Sequence, residues 1–587
     1  MTAHTRRRTA RRRRGAGTPR AGRQPAAVHA VPVPLYPAGP TWTPDSQLGH
    51  SAPGTVVTLR GVTIPPSRRR GRVSSWIRVH RLSLAIVAGL LVAVGLVHWI
   101  GYDRFPGRIN DDEGTYVSQA WAVQHWHTLA HYTYWYDHPP VGWITIAGYA
   151  WLTRAFERLP TAVGVGREFM VWVHVVSAAM IYLLARRLRY HRLAAAGAVL
   201  LFGLSPLAVP LQRMVFLDNP AVMWILAALV LAASPRRSLA ASAGSAVCFA
   251  IAVLSKETIA VLFPALFLLL WQHTSPKTRR YRIALFLTLL GAAVFVYPLY
   301  AILKNELFEG PGHVSLMWAI KWQLFDRPPS GSLLDPGSGT YAIVRSWLDT
   351  DPLLLGAGVI VTPVGLLIRR TRAVALALAI QVVMLCRNGY LPFPYVIAMV
   401  PFAALTIAGV ADQLCKGPAH GRRLWNPERR RTSHTWLVAL ARRTGQLGVV
   451  LAVIVSLVVI GPAWGQGAER AMTEDHSQPP RQALAYVLTH VPRGSILLVD
   501  DNLWADLVRH GFNPNPVWFY KLDLDPAIRT KFRNGWRDVD YVVLGRLPPT
   551  TLRDLPLVSA AIRHSEVVAS FGDGEIAVRK VIKNAPD

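Results

Sequence analysis

Eleven apolar runs divide this chain, at about 82–100, 168–185, 193–210, 219–233, 239–254, 258–271, 283–303, 352–368, 373–390, 391–411 and 446–464. A bilayer core of about 30 Å is crossed by roughly 20 apolar residues in a helix. Lipid offers no hydrogen bonds, so such runs must satisfy their own backbone as helices. Composition agrees. Of 587 residues, 51% are hydrophobic and 17% charged, against about 25% charged in a soluble domain. The expectation is a polytopic α-helical membrane protein.

A twelfth segment, 139–156, rich in Trp, Tyr and Gly, raises a question of parity. Basic clusters lie before residue 82 and at Arg186–Arg192, Arg236–Arg237, Lys277–Arg282, Arg369–Arg372 and Lys416–Arg443. If 139–156 does not cross, all six face one side, as the positive-inside rule prefers. The segment therefore reads as a helix in the outer interface, leaving 11 spans, a cytoplasmic N-terminus and an outer C-terminus. The net charge of +31 then has a place. The tail's 16 Arg and the inner loops' 21 Lys and Arg, opposed by Asp45, Asp412 and Glu428, carry +34, and the remainder carries −3. The basicity is a topology signal, and no nucleic-acid partner is expected. Cys248, Cys386 and Cys415 show no CxxC or Cys/His ligand spacing, which excludes disulfide scaffolds and zinc modules.

Three regions follow. Residues 1–80, with RRRTARRRR at Arg6–Arg14 and PPSRRR at Pro65–Arg70, are too charged and too poor in apolar residues to pack, and read as a disordered cytoplasmic tail touching anionic lipid. The first span reads as a retained anchor. Residues 81–465 hold the spans and two long outer loops, 101–167 and 304–350. Residues 470–587 alternate helical patterns (Arg481–His490, Leu503–His510, Pro526–Phe532, Thr550–Ile562) with strand-like runs at Ser495–Asp500, Tyr541–Leu544, Glu566–Phe571 and Glu575–Ile582. The last two flank Gly572-Asp573-Gly574, a hairpin signal. This reads as a small extracytoplasmic α/β domain. Its Trp504, Trp518, Phe519 and Tyr520 could form a sugar platform, though core packing is the commoner use of such residues.

The chemistry gathers at the outer boundary. Asn110-Asp111-Asp112-Glu113-Gly114-Thr115-Tyr116 follows the first span, and an aromatic stretch from Tyr132 runs into Asp137-His138-Pro139-Pro140. Arg213 and Asp218, then Lys256 and Glu257, then Arg387 interrupt the outer ends of later spans. Ionisable groups near membrane depth are costly and mark sites. A lone Lys or Arg at a helix end can instead snorkel to headgroups, but here all of them face the side bearing the acidic loop.

Together these residues resemble the GT-C glycosyltransferases, specifically the protein-O-mannosyltransferase and aminoarabinose-transferase-like family. Asp112-Glu113-Gly114-Thr115-Tyr116 matches its Asp-Glu-x-x-Tyr motif after the first span, with an additional acid at Asp111. His138-Pro139-Pro140 matches its Pro-Pro entry to a juxtamembrane helix. Phe216-Leu217-Asp218-Asn219-Pro220, Ser255-Lys256 and Leu391-Pro392-x-x-Tyr395 after Arg387 match later segments. The match covers roughly 82–415 and leaves out the C-terminal domain.

The resemblance implies a GT-C fold and a transferase. Its donor would be a polyprenyl-phosphate-linked monosaccharide, transferred with inversion to a lipid, glycan or protein acceptor at the outer face of the plasma membrane. On that reading Asp112 is the base and Glu113 orients it or the acceptor. Lys256, Arg213 and Arg387 hold the phosphate; Tyr116 and His138 contact sugar or phosphate; Asp218 belongs to the substrate-binding set. A divalent metal is a possible cofactor, with no ligand set assigned. A lipid flippase or transporter is the alternative class. It calls for midplane charges and internal repeats, and the sequence has no repeat.

Overall fold

In the computed structural model, residues 69–107, 112–417, 435–512 and 516–584 are described. Residues 1–68 of the expected tail and Asp111 lie outside them; its last stretch, 69–80, is not disordered but opens the first helix, which runs on into the first apolar span. Residues from Gly71 to the C-terminus form one compact unit.

Helix α1 spans Arg69–Trp99, α2 Asp112–Trp126, α3 Val141–Thr153, α4 Ala162–Arg187, α5 Asp218–Ala232, α6 Leu239–Ser255 and α7 Arg279–Leu303. Among the described residues, five helices are long and apolar enough to cross a membrane, including α1, α4 and α7, and the pair Gly339–Thr350 and Leu353–Leu367, bent by 107°, makes a sixth if it counts as one span. Five further apolar helices of 10–17 residues, α5 and α6 among them, are shorter. Each of the eleven apolar runs thus falls on a helix, although fewer than eleven meet the length on their own. The shortening has local causes. Ser205-Pro206 ends the helix Arg192–Leu204, and Lys256, in extended conformation, ends α6. The segment 139–156 gives α3, only 13 residues long and not among the crossing candidates; it ends where Arg154 turns left-handed at φ 51°.

Caps fix the directions. The Thr161 hydroxyl accepts from the Gly164 amide at the start of α4, and Ser238 caps α6 in the same way. Arg186 and Arg187 close α4, where cations suit the helix dipole. Near that end, Lys416 Nζ and Arg370 Nη1 donate to the Arg189 carbonyl at 2.9 and 3.3 Å, and Asp412 pairs with both cations. Three of the basic loops therefore meet at one end of the bundle. The starts of α4 and α5 and the end of α6 lie at the other.

The C-terminal region is a five-stranded sheet in the order β2-β1-β3-β5-β4: β1 Leu497–Val499, β2 Pro516–Trp518, β3 Tyr541–Gly545, β4 Ser565–Phe571, β5 Ile576–Val581. The first three are parallel, β5 and β4 antiparallel. All three residues of β1 are buried, as expected of a strand covered on both faces. The β4–β5 hairpin turns at Gly572, Asp573 and Gly574, all at positive φ. Helices α8 Gln478–His490 and α9 Asp501–Leu507 accompany the sheet. Strand β2 went unread in the sequence because it is three residues long and opens on a proline, as edge strands can.

One hydrophobic core joins this sheet to the helices beneath it: Tyr116 and Val117 of α2 and Trp143 of α3 pack in one cluster with Leu497, Val499, Trp504 and Val543. Burying large side chains of this kind contributes roughly 1.5–3 kcal/mol each. A second, larger core fills the helical bundle.

Candidate active site

Helix α2 starts at Asp112, and its first turn has acids where the helix dipole favours them. Two close approaches hold the turn. A Cβ on Gly114 would stand 2.2 Å from the Asn502 nitrogen of α9, so only glycine fits. A Cβ on Gly142, in the first turn of α3, would meet Leu217 Cδ2 at 2.7 Å and the Ser255 carbonyl oxygen at 3.3 Å. The Pro-Pro-Val-Gly entry to α3 thereby lies against the end of α6, beside Lys256.

His138 lies between two charges. Its Nδ1 is 3.0 Å from Glu257 Oε2, and its Nε2 is 2.9 Å from Lys256 Nζ. With Lys256 an ammonium, Nε2 must accept and Nδ1–H must donate to Glu257. Burial disfavours the imidazolium, but the Glu257 carboxylate more than offsets this, while Lys256 opposes it; the His138 pKa therefore lies above the ordinary histidine value. A doubly protonated ring would keep the Glu257 bond and lose the one from Lys256. The His138 carbonyl is held by the Tyr134 hydroxyl at 2.6 Å, and Tyr134 meets the Tyr297 hydroxyl of α7 at 3.1 Å.

Tyr116 is buried, stacked parallel to Trp143 at 6.4 Å and 6.1 Å from the His138 ring. Burial, followed by the charges of Asp112 and Asp137, raises its phenol far above the ordinary value, so the hydroxyl stays protonated as a donor. Asp112 is half-buried and within electrostatic range of Tyr116 and Lys256, and Asp218, buried at the start of α5, is within range of both Lys256 and His138. Asp112, Tyr116, His138, Asp218 and Lys256, spread over 145 positions of sequence, thus share one site.

The other three expected residues are placed differently. Glu113 is fully buried in a bidentate pair with Arg167, Nε–Oε1 2.8 Å and Nη2–Oε2 2.7 Å, and accepts from the Val215 amide at 3.0 Å. Its carboxylate is consumed in fixing α2 against α4. Arg213 is fully buried and donates to the carbonyls of Val97, Ile100, Gly101, Phe105 and Ala471. These include the last carbonyls of α1, which have no intrahelical partner, so the guanidinium is spent as a cap. Arg387 is exposed and lines an open cavity of about 400 Å³ with Thr258, Thr340, Tyr390 and Tyr395. Thr258 directly follows Glu257, so the cavity that Arg387 lines also borders the segment next to the site.

Sequence reasoning noted Glu257 without giving it a role and missed Arg167. The available signal for Arg167 was an Arg-Glu pair inside the outer end of a long apolar helix, a position that demands a partner. Among the described residues, no group of three or more His, Cys, Asp or Glu is placed to hold a metal ion. Of the C-terminal aromatics, Trp504 and Phe519 are core residues, while Trp518 and Tyr520 are half-buried.

Residues 137–301 match the family model described as dolichyl-phosphate-mannose-protein mannosyltransferase. That span holds His138, Arg213, Asp218 and Lys256, and stops short of the sheet. In three dimensions the chain is similar to the crystal structure of ArnT from Cupriavidus metallidurans bound to undecaprenyl phosphate, with a TM-score of 0.52 at 15% identity, covering 85% of this chain and 99% of that one. For the apo state of ArnT the TM-score is 0.51 at 14% identity, covering 88% and 100%. At such identities the likeness establishes a fold. No curated protein sequence matches this chain. The resemblance to GT-C glycosyltransferases of the protein-mannosyltransferase and ArnT type is borne out.

Proposed function

We propose that this protein, a GT-C glycosyltransferase of the protein-mannosyltransferase and ArnT type, moves one monosaccharide from a polyprenyl-phosphate donor to an acceptor hydroxyl at the outer face of the plasma membrane. The observation that carries the reading is the convergence of Asp112, Tyr116, His138, Asp218 and Lys256 at one end of the bundle. A carboxylate beside a fixed ammonium is what such a transfer needs. The acceptor oxygen attacks the anomeric carbon while Asp112 takes its proton. The bond from that carbon to the phosphate oxygen breaks, and its electron pair leaves with the lipid phosphate. Lys256, oriented by His138 and Glu257, stabilises that growing charge, and Arg387 meets the phosphate from the adjoining cavity with a guanidinium fork. Attack opposite the leaving group inverts the anomeric centre. Glu113 contributes by holding α2 through Arg167, so it positions the base without touching substrate. In this orientation the basic loops and N-terminus are cytoplasmic and the sheet is extracytoplasmic, as the positive-inside rule requires.

The test is transfer from radiolabelled polyprenyl-phosphate mannose and arabinose by the purified full chain in lipid nanodiscs, supplied with extracts holding native acceptors. The product's anomeric configuration is then read by NMR. Label transferred with inverted configuration supports the reading. Retention would sink the scheme of attack opposite the leaving group. Failure to turn over any donor would move the chain to the transporter class.

A further inference from the structure

The far side of the α2 start faces a cleft that the site above does not use. It encloses about 550 Å³ of space open to solvent and is walled by Glu113 and Arg167, by Thr161 at the start of α4, and by Arg481, Asn502 and Asp506 of the C-terminal region. The notable group is Asn502. It is only 7% exposed, and neither its amide nitrogen nor its amide oxygen has a hydrogen-bond partner among the described residues. An unpaired buried amide is costly to keep, and a ligand offering both an acceptor and a donor would remove that penalty.

Charge selects the ligand class. Glu113 is paired with Arg167, Asp506 with Arg509 at 2.9 Å, and Arg481 with Asp475. Both cations of the wall are already engaged, so an anion finds no uncommitted positive charge. Hydroxyl groups both donate and accept, as the Asn502 amide does, and Pro480, Leu484 and Leu503 add apolar surface for a sugar's C–H faces.

We propose that this cleft binds a neutral carbohydrate through Asn502 and Arg481, and that the bound glycan is the acceptor whose hydroxyl reaches Asp112. The acceptor role rests on the transferase reading above; carbohydrate binding does not, because it can be measured with no donor present.

The experiment uses the full chain in nanodiscs, with methyl α-mannopyranoside, α-mannobiose and methyl α-arabinofuranoside as probes and saturation-transfer NMR as the readout. Wild type should bind at least one saccharide; Asn502→Ala should weaken that affinity at least tenfold and Arg481→Ala roughly threefold, and inorganic phosphate should not compete. Arg481 lies at the rim, so its variant tests the site even if Asn502→Ala misfolds. No binding by wild type, binding unchanged in both variants, or displacement by phosphate would each overturn the proposal. Binding without donor turnover would retain the cleft and discard the transferase reading. Transfer with an unchanged acceptor KM in both variants would discard the cleft and retain the transferase.

Discussion

Gly114 of the Asp-Glu-Gly turn abuts Asn502 of the C-terminal region so closely that a Cβ would stand 2.2 Å from the Asn502 nitrogen and 2.3 Å from the Asp501 carbonyl carbon. Both obstacles are backbone and cannot rotate away. Helix α9 of the C-terminal region is therefore seated directly on the helix that carries Asp112, and through it the sheet joins the same core.

That contact makes Gly114→Ala costly. Overpacking against side chains costs about 1–3 kcal/mol, and against backbone the cost should lie at the upper end of that range. The variant should lose several degrees of Tm and at least tenfold in transfer. Gly148→Ala in α3 is the control: nothing lies within 4 Å of its Cβ position, and alanine favours a helix by up to about 1 kcal/mol. Thermal melts and transfer assays on both should diverge in this direction. Equal melts would mean that the close approach does not constrain the turn.

Glu113 and Asp112 are adjacent acids with opposite expected phenotypes. Removing one partner of a buried pair costs about 3–5 kcal/mol, so Glu113→Ala should lower Tm sharply and take folding with it. Glu113→Leu combined with Arg167→Leu should regain much of the loss, because no uncompensated charge is left. A Glu113→Ala variant as stable as wild type would contradict the assignment of this residue to the Arg167 pair.

Arg213 and Lys256 separate in the same manner. Arg213→Lys removes the fork that reaches five carbonyls; it should lower Tm while each folded molecule still turns over donor. Lys256 is itself buried beside Asp218 and Glu257, so Lys256→Gln should also cost stability, but it should reduce transfer per folded molecule at least a hundredfold. The split between Tm and turnover, measured in nanodiscs for both variants, distinguishes the roles. Reversed phenotypes would exchange them.

These contrasts mark how far the sequence could be read. Asp112, Tyr116, His138, Asp218 and Lys256 could be placed together because each interrupts or adjoins an apolar run at the same boundary, where a charge calls for a reason. The same argument could not tell Arg213, spent on helix-end carbonyls, from Lys256, aimed at the site, since both are cations at span ends. Only tertiary contacts decide which cation finds enough acceptors. The other four strands, β1, β3, β4 and β5, were legible from the apolar runs that contain them and the Gly-Asp-Gly turn. Strand β2 was too short to show a period, and the helix expected over Thr550–Ile562 is split at Leu555-Pro556, where proline restricts the residue before it. The seating of α9 on α2 left no local signal, because it depends on residues almost 400 positions apart.

Asp506 supplies a pH dependence. Its carboxylate accepts from the Ala162 amide at 2.8 Å and pairs with Arg509, joining α9 to the start of α4. Burial nevertheless outweighs these contacts and lifts its pKa to about 6. Since this lies above the unfolded value of about 3.9, its stabilising contribution is complete below about pH 4 and is lost as pH rises through 6. Across that window wild type should lose about 3 kcal/mol relative to Asp506→Asn. Tm measured from pH 4 to 7 for the two chains should converge at the acid end and separate toward neutrality. Parallel curves would contradict the buried-carboxyl account.

The central claim is that Asp112 is the base of a sugar transfer. It is tested most directly by comparing wild type with Asp112→Asn, matched for expression and Tm, in transfer of radiolabel from polyprenyl-phosphate sugars. General-base removal costs about 10²–10⁴-fold. The account predicts a loss of that size with melting unchanged, and transfer by Asp112→Asn at the wild-type rate would contradict it.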